Sequence, residues 1–351
     1  MGELQHTDYM ARCLQLAERG GGNVAPNPIV GAVLVHNNVI IGEGYHQKYG
    51  EAHAEVNCIN DALQKYPELI ASSVLYVSME PCAHYGKTPP CTELIIQYKI
   101  PKVVIACRDS FEEVNGKGIE KLKQAGIEVI EGVMEKEAMD LNRRFFTFHK
   151  RRRPYIILKW AQTADGFMAS GTGERLFITN AVTNRLVHKW RSMEPGILIG
   201  ANTALADDPL LDNRLWHGKA PVKIIIDPNL TSNEGLRMFQ QGEKVIIVNV
   251  IREAESEKAV YLKANQGDLL RDTMTGLFDK KISSVLVEGG RYTLQAFIDA
   301  GLWDEARLIT NTELSIGSGV KSPDLKFADK AGEQFVLTDR IEFFKNRDAG
   351  A

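Results

Sequence analysis

At 351 residues, with 44% hydrophobic and 25% charged side chains, the chain exceeds one ordinary domain and can build full cores, so two domains are expected. A formal net charge of -3 gives no general pull towards nucleic acid, and no apolar run approaches the length of a membrane span. Five cysteines make no disulfide framework and the N-terminal stretch lacks the apolar core of a secretory signal, which leads to the expectation of a cytoplasmic protein.

Met10, Cys13, Leu14 and Ala17 recur at helical spacing, which predicts a helix over residues 6–19 that Gly20, Gly21 and Gly22 end. Asn27-Pro28-Ile29-Val30-Gly31 leads into a strand from Ala32 to His36, and Asn37-Asn38 turns it into a second from Val39 to Gly42. Gly44-Tyr45-His46 runs on to a helix that starts near His53 and reaches about Lys65. Glu55 then stands in a first turn, where free N–H groups favour an anion. Val74 to Ser78 is a short apolar strand that delivers Pro81-Cys82 to a loop.

The stretch from His53 to Cys91 carries the chemistry. His53-Ala54-Glu55, then Pro81-Cys82, then Cys91 supply one imidazole, two thiolates and a carboxylate outside the ligand set, which is what a zinc-dependent base deaminase requires. Three such ligands hold the metal and leave its fourth position to water, whose pKa zinc lowers towards neutrality. Glu55 is placed to move that water's proton, since expelling ammonia needs an acid as well as a base. Taken singly, the His is an ordinary helix start and the cysteines are buried thiols; taken together they point to a metal. A structural zinc would close its shell with a fourth Cys or His, and His84 is the near candidate. Glu55 in the general-base slot argues against that closed shell. Cys13, Cys58 and Cys107 sit in apolar patterns that suit reduced, buried thiols.

Eight residues, AHYGKTPP, separate Cys82 from Cys91, where nucleic-acid deaminases use C-x-x-C. This is either a tolerated insertion or a loop that brings His84 and Lys87 over the metal to read a substrate, with Lys87 on a phosphate. Glu93 to Tyr98 then reads as a helix, Lys102 to Ala106 as a strand, and Gly118 to Gln124 as a helix ended by Gly126. Met139 to Phe148 is a further helix, and the basic run before Pro154 reads as a solvated linker rather than a nucleic-acid contact. The boundary divides residues 1–149 from residues 150–351.

The second half restarts with a strand from Tyr155 to Trp160. It then alternates helix and strand through Thr183 to Trp190, Ile197 to Gly200, Val222 to Ile226, Val245 to Val250, Glu253 to Ala264 and Val285 to Val287, the pattern of an α/β sheet. The strand ending at Val287 runs through Gly289-Gly290 into a helix, which puts free backbone N–H groups at a phosphate-sized site. There is no GxGxxG, and a tight strand-to-helix turn explains the paired glycines equally well.

On NPIVGAVLV, GEGYHQKYGEAHAEV and MEPCAHYGKTPPC, the first half resembles the deaminase half of the bifunctional riboflavin-biosynthesis deaminase/reductases. ILKWAQTADGFMA, IGANTALADDPLL and VLVEGGRYTLQAFIDAGLWDE resemble the reductase half of the same family. The resemblance implies an α/β protein: an N-terminal cytidine-deaminase-like three-layer αβα domain, then a dihydrofolate-reductase-like α/β domain. It implies hydrolytic deamination of a diaminopyrimidinone bearing a ribosylamino phosphate, followed by NADPH-dependent reduction of the ribosyl group to ribityl.

The resemblance also carries residues. It implies zinc on His53, Cys82 and Cys91, Glu55 as proton shuttle, and substrate contacts from Asn27, His46, His84, Lys87 and Asp109. In the second half Lys159, Asp207 and Glu288 would lie at the ribose and nicotinamide. Arg191 and Arg214 would hold the phosphate end, with Arg175 and Leu211 beside it. Ala161, Phe177, Thr203, Asp207 and the run Gly290, Arg291, Tyr292, Thr293, Leu294, Gln295, Ala296 would line the cofactor. A homo-oligomer is implied as well. Three departures stand out: Ser110-Phe111-Glu112 after Asp109 where the family has Pro-Asn-Pro, Gln162-Thr163-Ala164 where Ser-Leu is usual, and Asp212 for a common Thr. The rival is an RNA or nucleoside base deaminase with an appended binding domain. It requires a basic surface and C-x-x-C, and the sequence offers neither.

Overall fold

A computed structural model describes residues 5–85, 89–109, 116–171 and 175–350. The chain divides into two compact units, Met1–Arg152 and Arg153–Ala351. Among the described residues no helix is long and apolar enough to cross a membrane.

The first unit runs α1 (His6–Glu18), β1 (Gly31–His36), β2 (Val39–Tyr45), α2 (Ala54–Lys65), β3 (Val74–Met79), α3 (Cys91–Gln97), β4 (Lys102–Cys107), α4 (Lys117–Gln124), β5 (Glu128–Glu131), α5 (Glu135–Leu141) and α6 (Arg143–Arg151). Its sheet has the order β2-β1-β3-β4-β5. β1 is antiparallel to β2 and β3, whereas β3, β4 and β5 are parallel. Asn37 and Asn38 both take positive φ, 45° and 65°, as a tight hairpin turn between twisted strands demands. Side-chain alternation along the strands sorts the core onto two faces. Ala32, Leu34, Leu75, Val77, Val103 and Ile105 face α2, α3 and α4. Val33, Val35, Tyr76, Val104 and Ala106 face α1, α5 and α6. The result is the three-layer αβα arrangement.

The helix expected from Met139 to Phe148 is broken at Asn142 into α5 and α6. The buried Asn142 side chain accepts from the Ile29 N–H at 2.9 Å and donates to the Ile29 carbonyl at 3.0 Å. The kink anchors the chain just after Asn27. Apolar periodicity continues across the break and so conceals it.

The second unit runs β6 (Tyr155–Gln162), β7 (Phe167–Ser170), α7 (Ala181–Met193), β8 (Gly196–Gly200), α8 (Ala201–Asp207), β9 (Val222–Ile226), β10 (Val245–Asn249), β11 (Ala254–Glu255), β12 (Ala259–Lys263), α9 (Leu269–Asp279), β13 (Ser284–Val287), α10 (Arg291–Asp299), β14 (Glu305–Asn311), β15 (Gly319–Lys321), β16 (Ala328–Val336) and β17 (Asp339–Asn346). The large sheet has the order β11-β12-β10-β9-β8-β13-β6-β14-β17-β16, parallel from β12 to β14 and antiparallel at both ends. Residues 253–264 hold two short strands, β11 and β12, rather than a single element. Ile156, Leu158, Leu198, Val285 and Val287 face α9 and α10, and Phe297 of α10 and Trp303 just beyond that helix are fully buried. Tyr155, Ile157 and Leu286 face Val187 and Trp190 of α7. Asn180 caps α7, its side chain accepting from the Val182 and Thr183 N–H groups at 3.0 Å each.

Candidate active sites

In the first unit the site gathers at the ends of β2 and β3. α2 lies directly on β2 because Gly44 has no side chain; a Cβ there would stand 2.3 Å from the Cys58 nitrogen. That contact sets the start of α2, where His53 is the cap residue in extended backbone and Glu55 occupies the first turn. Cys91 opens α3, and its N–H donates to the Cys82 sulfur at 3.3 Å. The Thr92 N–H and hydroxyl both donate to the Cys82 carbonyl at 3.2 Å. The two cysteines are thus locked together despite the eight residues between them.

His53 Nδ1 lies 3.6 Å from the Cys82 sulfur and 3.4 Å from the Cys91 sulfur, and the three ligand atoms all fall within 4.8 Å of one another. A tetrahedral zinc with ordinary Zn–N and Zn–S bonds needs a nitrogen-to-sulfur edge of about 3.6 Å. The donors therefore fit zinc in kind and in spacing. The proton inventory agrees. The Cys82 thiol is drawn down to about 4 by its hydrogen bond with Cys91, aided by His53 and opposed by burial. Cys91, the donor of that pair, is pushed well up. A cation entering between them displaces the Cys91 proton.

Glu55 is buried, with 3% of its surface exposed. Burial raises its carboxyl to about 7, against His53, which lowers it. His46 is also buried and meets His53 edge to face, with ring centroids 5.2 Å apart. Its Nδ1 faces the Ala52 carbonyl at 3.1 Å, which assigns the proton to Nδ1. Nε2 then accepts from the Asn27 amide at 3.3 Å, leaving the Asn27 oxygen as an acceptor for other partners. His84 is half-buried in the loop between the two cysteines, and Asp109 is half-buried past the end of β4. Lys87 and Phe111 lie outside the described residues. Glu80, two residues before Cys82, was given no role from the sequence, although it sits in the MEPC segment.

In the second unit three charges converge under α7. β13 and β6 are parallel neighbours with Val287 opposite Leu158, so Glu288 and Lys159 emerge side by side. Lys159 Nζ donates to Glu288 at 3.4 Å. Arg191 clamps the same carboxylate through Nε at 2.8 Å and Nη2 at 2.9 Å, and its Nη1 donates to the Asp212 carbonyl at 2.9 Å. Burial alone would raise the Glu288 carboxyl, but Arg191 and Lys159 overcome it and bring it to about 2. Among the described residues, three of the five Arg191 N–H groups are thus spent inside the protein. Arg214 is exposed and pairs with the Asp212 side chain.

The remaining candidates are scattered in environment. The Gly290 N–H, expected to be free, donates to Thr203 Oγ1 at 2.9 Å, so α8 caps the start of α10. Asp207 is exposed at the end of α8. Phe177 and Tyr292 are 77% and 82% exposed, and the Arg175 guanidinium lies 5.2 Å over the Phe177 ring. Ala161 is half-buried beside the α7 face of the sheet. Arg291 and Ala296 are exposed, and Thr293 is half-buried. Leu211 and Leu294 are turned into the core. The Gln295 side chain is engaged with Asp299 at 2.9 Å and with the Asp324 N–H at 2.8 Å.

Residues 4–107 match the sequence profile of the cytidine and deoxycytidylate deaminase zinc-binding region, and residues 154–321 match that of the RibD C-terminal domain. The riboflavin biosynthesis protein RibD of Aquifex aeolicus is 40% identical over 354 residues, covering 96% of this chain and 98% of that protein. RibD of Escherichia coli is 36% identical, covering 86% of each chain. The crystal structure of a diaminohydroxyphosphoribosylaminopyrimidine deaminase/5-amino-6-(5-phosphoribosylamino)uracil reductase from Thermotoga maritima is similar with a TM-score of 0.89 at 34% identity, over 97% of this chain and 98% of that one. Acinetobacter baumannii RibD is similar with a TM-score of 0.87 at 30% identity, with the same coverage of both chains.

Proposed function

We infer the chemistry of each half from one premise: the chain belongs to the RibD family, in which a deaminase and a reductase of riboflavin biosynthesis share one polypeptide. It is a bifunctional enzyme with a zinc-binding deaminase domain and a reductase domain that uses a nicotinamide cofactor. The first reaction is the hydrolytic deamination of 2,5-diamino-6-(ribosylamino)-pyrimidinone 5'-phosphate. The second is NADPH-dependent reduction of the ribosyl group to ribityl. We assign the first to residues 1–149 and the second to residues 150–351.

His53, Cys82 and Cys91 hold zinc, which supplies Lewis-acid activation of a water. Glu55 takes up a proton and returns it to the leaving amine. A carboxyl raised to about 7 by its buried setting is matched to both directions of that transfer near neutral pH. Asn27, fixed by His46, offers its oxygen to the amino groups of the pyrimidine. His84, Lys87 and Asp109 complete the substrate contacts. In the reductase half a hydride step needs donor and acceptor in contact and water excluded, with no protein nucleophile. Glu288 orients Lys159, whose ammonium faces charge developing on a ribose oxygen. Arg191 and Arg214 take the phosphate, with Arg175 and Leu211 beside it. Ala161, Phe177, Thr203, Asp207 and residues 290–296 border the cofactor. The buried free thiols Cys13, Cys58 and Cys107 support a reducing, cytoplasmic setting, and the family resemblance supports a homo-oligomer.

The observation that carries this reading is the convergence of His53, Cys82 and Cys91 beside a buried Glu55. The test is a coupled assay with the diaminopyrimidinone ribosylamino phosphate and NADPH, following ammonia and absorbance at the nicotinamide band. Both signals are expected. Ammonia without NADPH oxidation removes the reductase assignment, and neither signal with zinc confirmed present removes the substrate assignment.

A further inference from the structure

Glu80 is 4% exposed. Its hydrogen-bond partners among the described residues are backbone donors. One carboxylate oxygen accepts from the Asp109 N–H at 3.3 Å and the Gly116 N–H at 3.0 Å. The other accepts from the Gly118 N–H at 3.0 Å and the Ile119 N–H at 3.4 Å. A carboxylate has about four lone-pair sites, and here four donors meet them, two on each oxygen. Two of those donors are at the start of α4, one precedes that helix, and one lies beyond the end of β4. Two residues further along the chain from Glu80 is the ligand Cys82.

A second contact fixes the same short segment. A Cβ at Gly118 would stand 2.0 Å from the Pro81 carbonyl oxygen, so α4 is pressed against the peptide that joins Pro81 to Cys82. The Glu80 N–H in turn donates to the Cys107 carbonyl at 3.0 Å. Glu80 and Pro81 are therefore gripped from β4 and α4 on one side of Cys82, while the Cys91 N–H and the Thr92 donors hold its sulfur and carbonyl on the other. His53 and Cys91 each start a helix of their own, whereas Cys82 lies in a segment without regular structure. Its sulfur has the least support from secondary structure and the most to gain from a brace.

We propose that Glu80 is a positioning residue for the metal centre: its carboxylate, saturated by four backbone N–H groups, sets where the Cys82 sulfur stands. This rests on the reading of His53, Cys82 and Cys91 as zinc ligands. Glu80→Gln tests it, because an amide keeps one oxygen and turns an NH2 group towards two of the four donors. Zinc affinity is measured by competition with a chromophoric chelator, and the visible ligand-field spectrum of the cobalt-substituted protein reports ligand geometry. The reductase activity of the same chain is the internal control.

The expected result is a loss of about 10- to 100-fold in zinc affinity, the usual effect of removing a group that orients a ligand. Altered cobalt bands and unchanged reductase activity accompany it. Affinity within twofold of the parent, with an unaltered cobalt spectrum, overturns the proposal and leaves Glu80 as a helix cap alone. If the Gln chain loses its first-domain melting transition, Glu80→Asp decides. It keeps all four acceptor sites but withdraws them by one methylene, and a folded domain with unchanged zinc affinity again overturns the proposal. A parent protein that binds no zinc would instead refute the ligand reading on which this rests.

Discussion

The two halves build their sites by opposite means. In the first, the reactive groups come from helix starts and one loop, and hydrogen bonds among backbone, imidazole and sulfur bring the three donors to metal spacing. In the second, the central carboxylate is held by Arg191 and Lys159, while Phe177, Tyr292 and Arg214 stand exposed. One site is built from short-range bonds among neighbouring donors. The other has a buried charged floor beneath exposed side chains.

The sharpest way to break this comparison is to remove the metal. Chelation should abolish ammonia release while reduction of the deaminated intermediate continues, and zinc should restore the first activity. Loss of both activities would mean that the halves are not independent. Next comes Glu55→Gln, expected to lower deamination about a thousandfold, within the range of general acid–base catalysis, with zinc content and reductase turnover unchanged. A residual rate near that of the parent would assign the proton transfer to another group.

Glu288→Ala probes the floor of the second site. It strands the Arg191 and Lys159 charges, so the second domain should lose about 3–5 kcal/mol in chemical denaturation while the first-domain transition stays put. Acid should reach the same weakness. Glu288 has a folded value of about 2 against an ordinary 4.5, so its contribution is fully present above 4.5 and is lost as pH falls towards 2. The shift corresponds to about 3 kcal/mol, read as a fall in the melting temperature of the second domain over that window. A flat profile would show the pair to be neutral in the balance of folding. The smallest effect belongs to Arg214→Ala. Because Arg214 is exposed and paired with Asp212 at the surface, its loss should raise KM for the phosphorylated substrate about tenfold, with stability unmoved. An equal rise for the dephosphorylated substrate would detach Arg214 from the phosphate.

How far the sequence could be read follows the same divide. Zinc ligands announce themselves by residue type and local spacing, and the His53, Cys82 and Cys91 atoms do meet. The alternation of helix and strand in the second half was equally visible. Lys159 and Glu288, by contrast, are 129 residues apart in sequence and meet only through the order of strands in the sheet. No window of local pattern contains that fact; family resemblance alone brought the pair forward. The break at Asn142, the capture of the Gly290 N–H by Thr203 and the setting of Glu80 were missed for a related reason. Each is a polar side chain answering a backbone group far away, and hydrophobic periodicity is blind to such bonds.

The contact between Arg191 and residue 212 has an evolutionary corollary. Arg191 is held by the carbonyl of Asp212, a group that every amino acid supplies. Mutation at that position can therefore change the side chain without touching the guanidinium's anchor. The side chain of Asp212, by contrast, pairs with the exposed Arg214. Sites wired through main-chain atoms can drift in sequence while their geometry stands still.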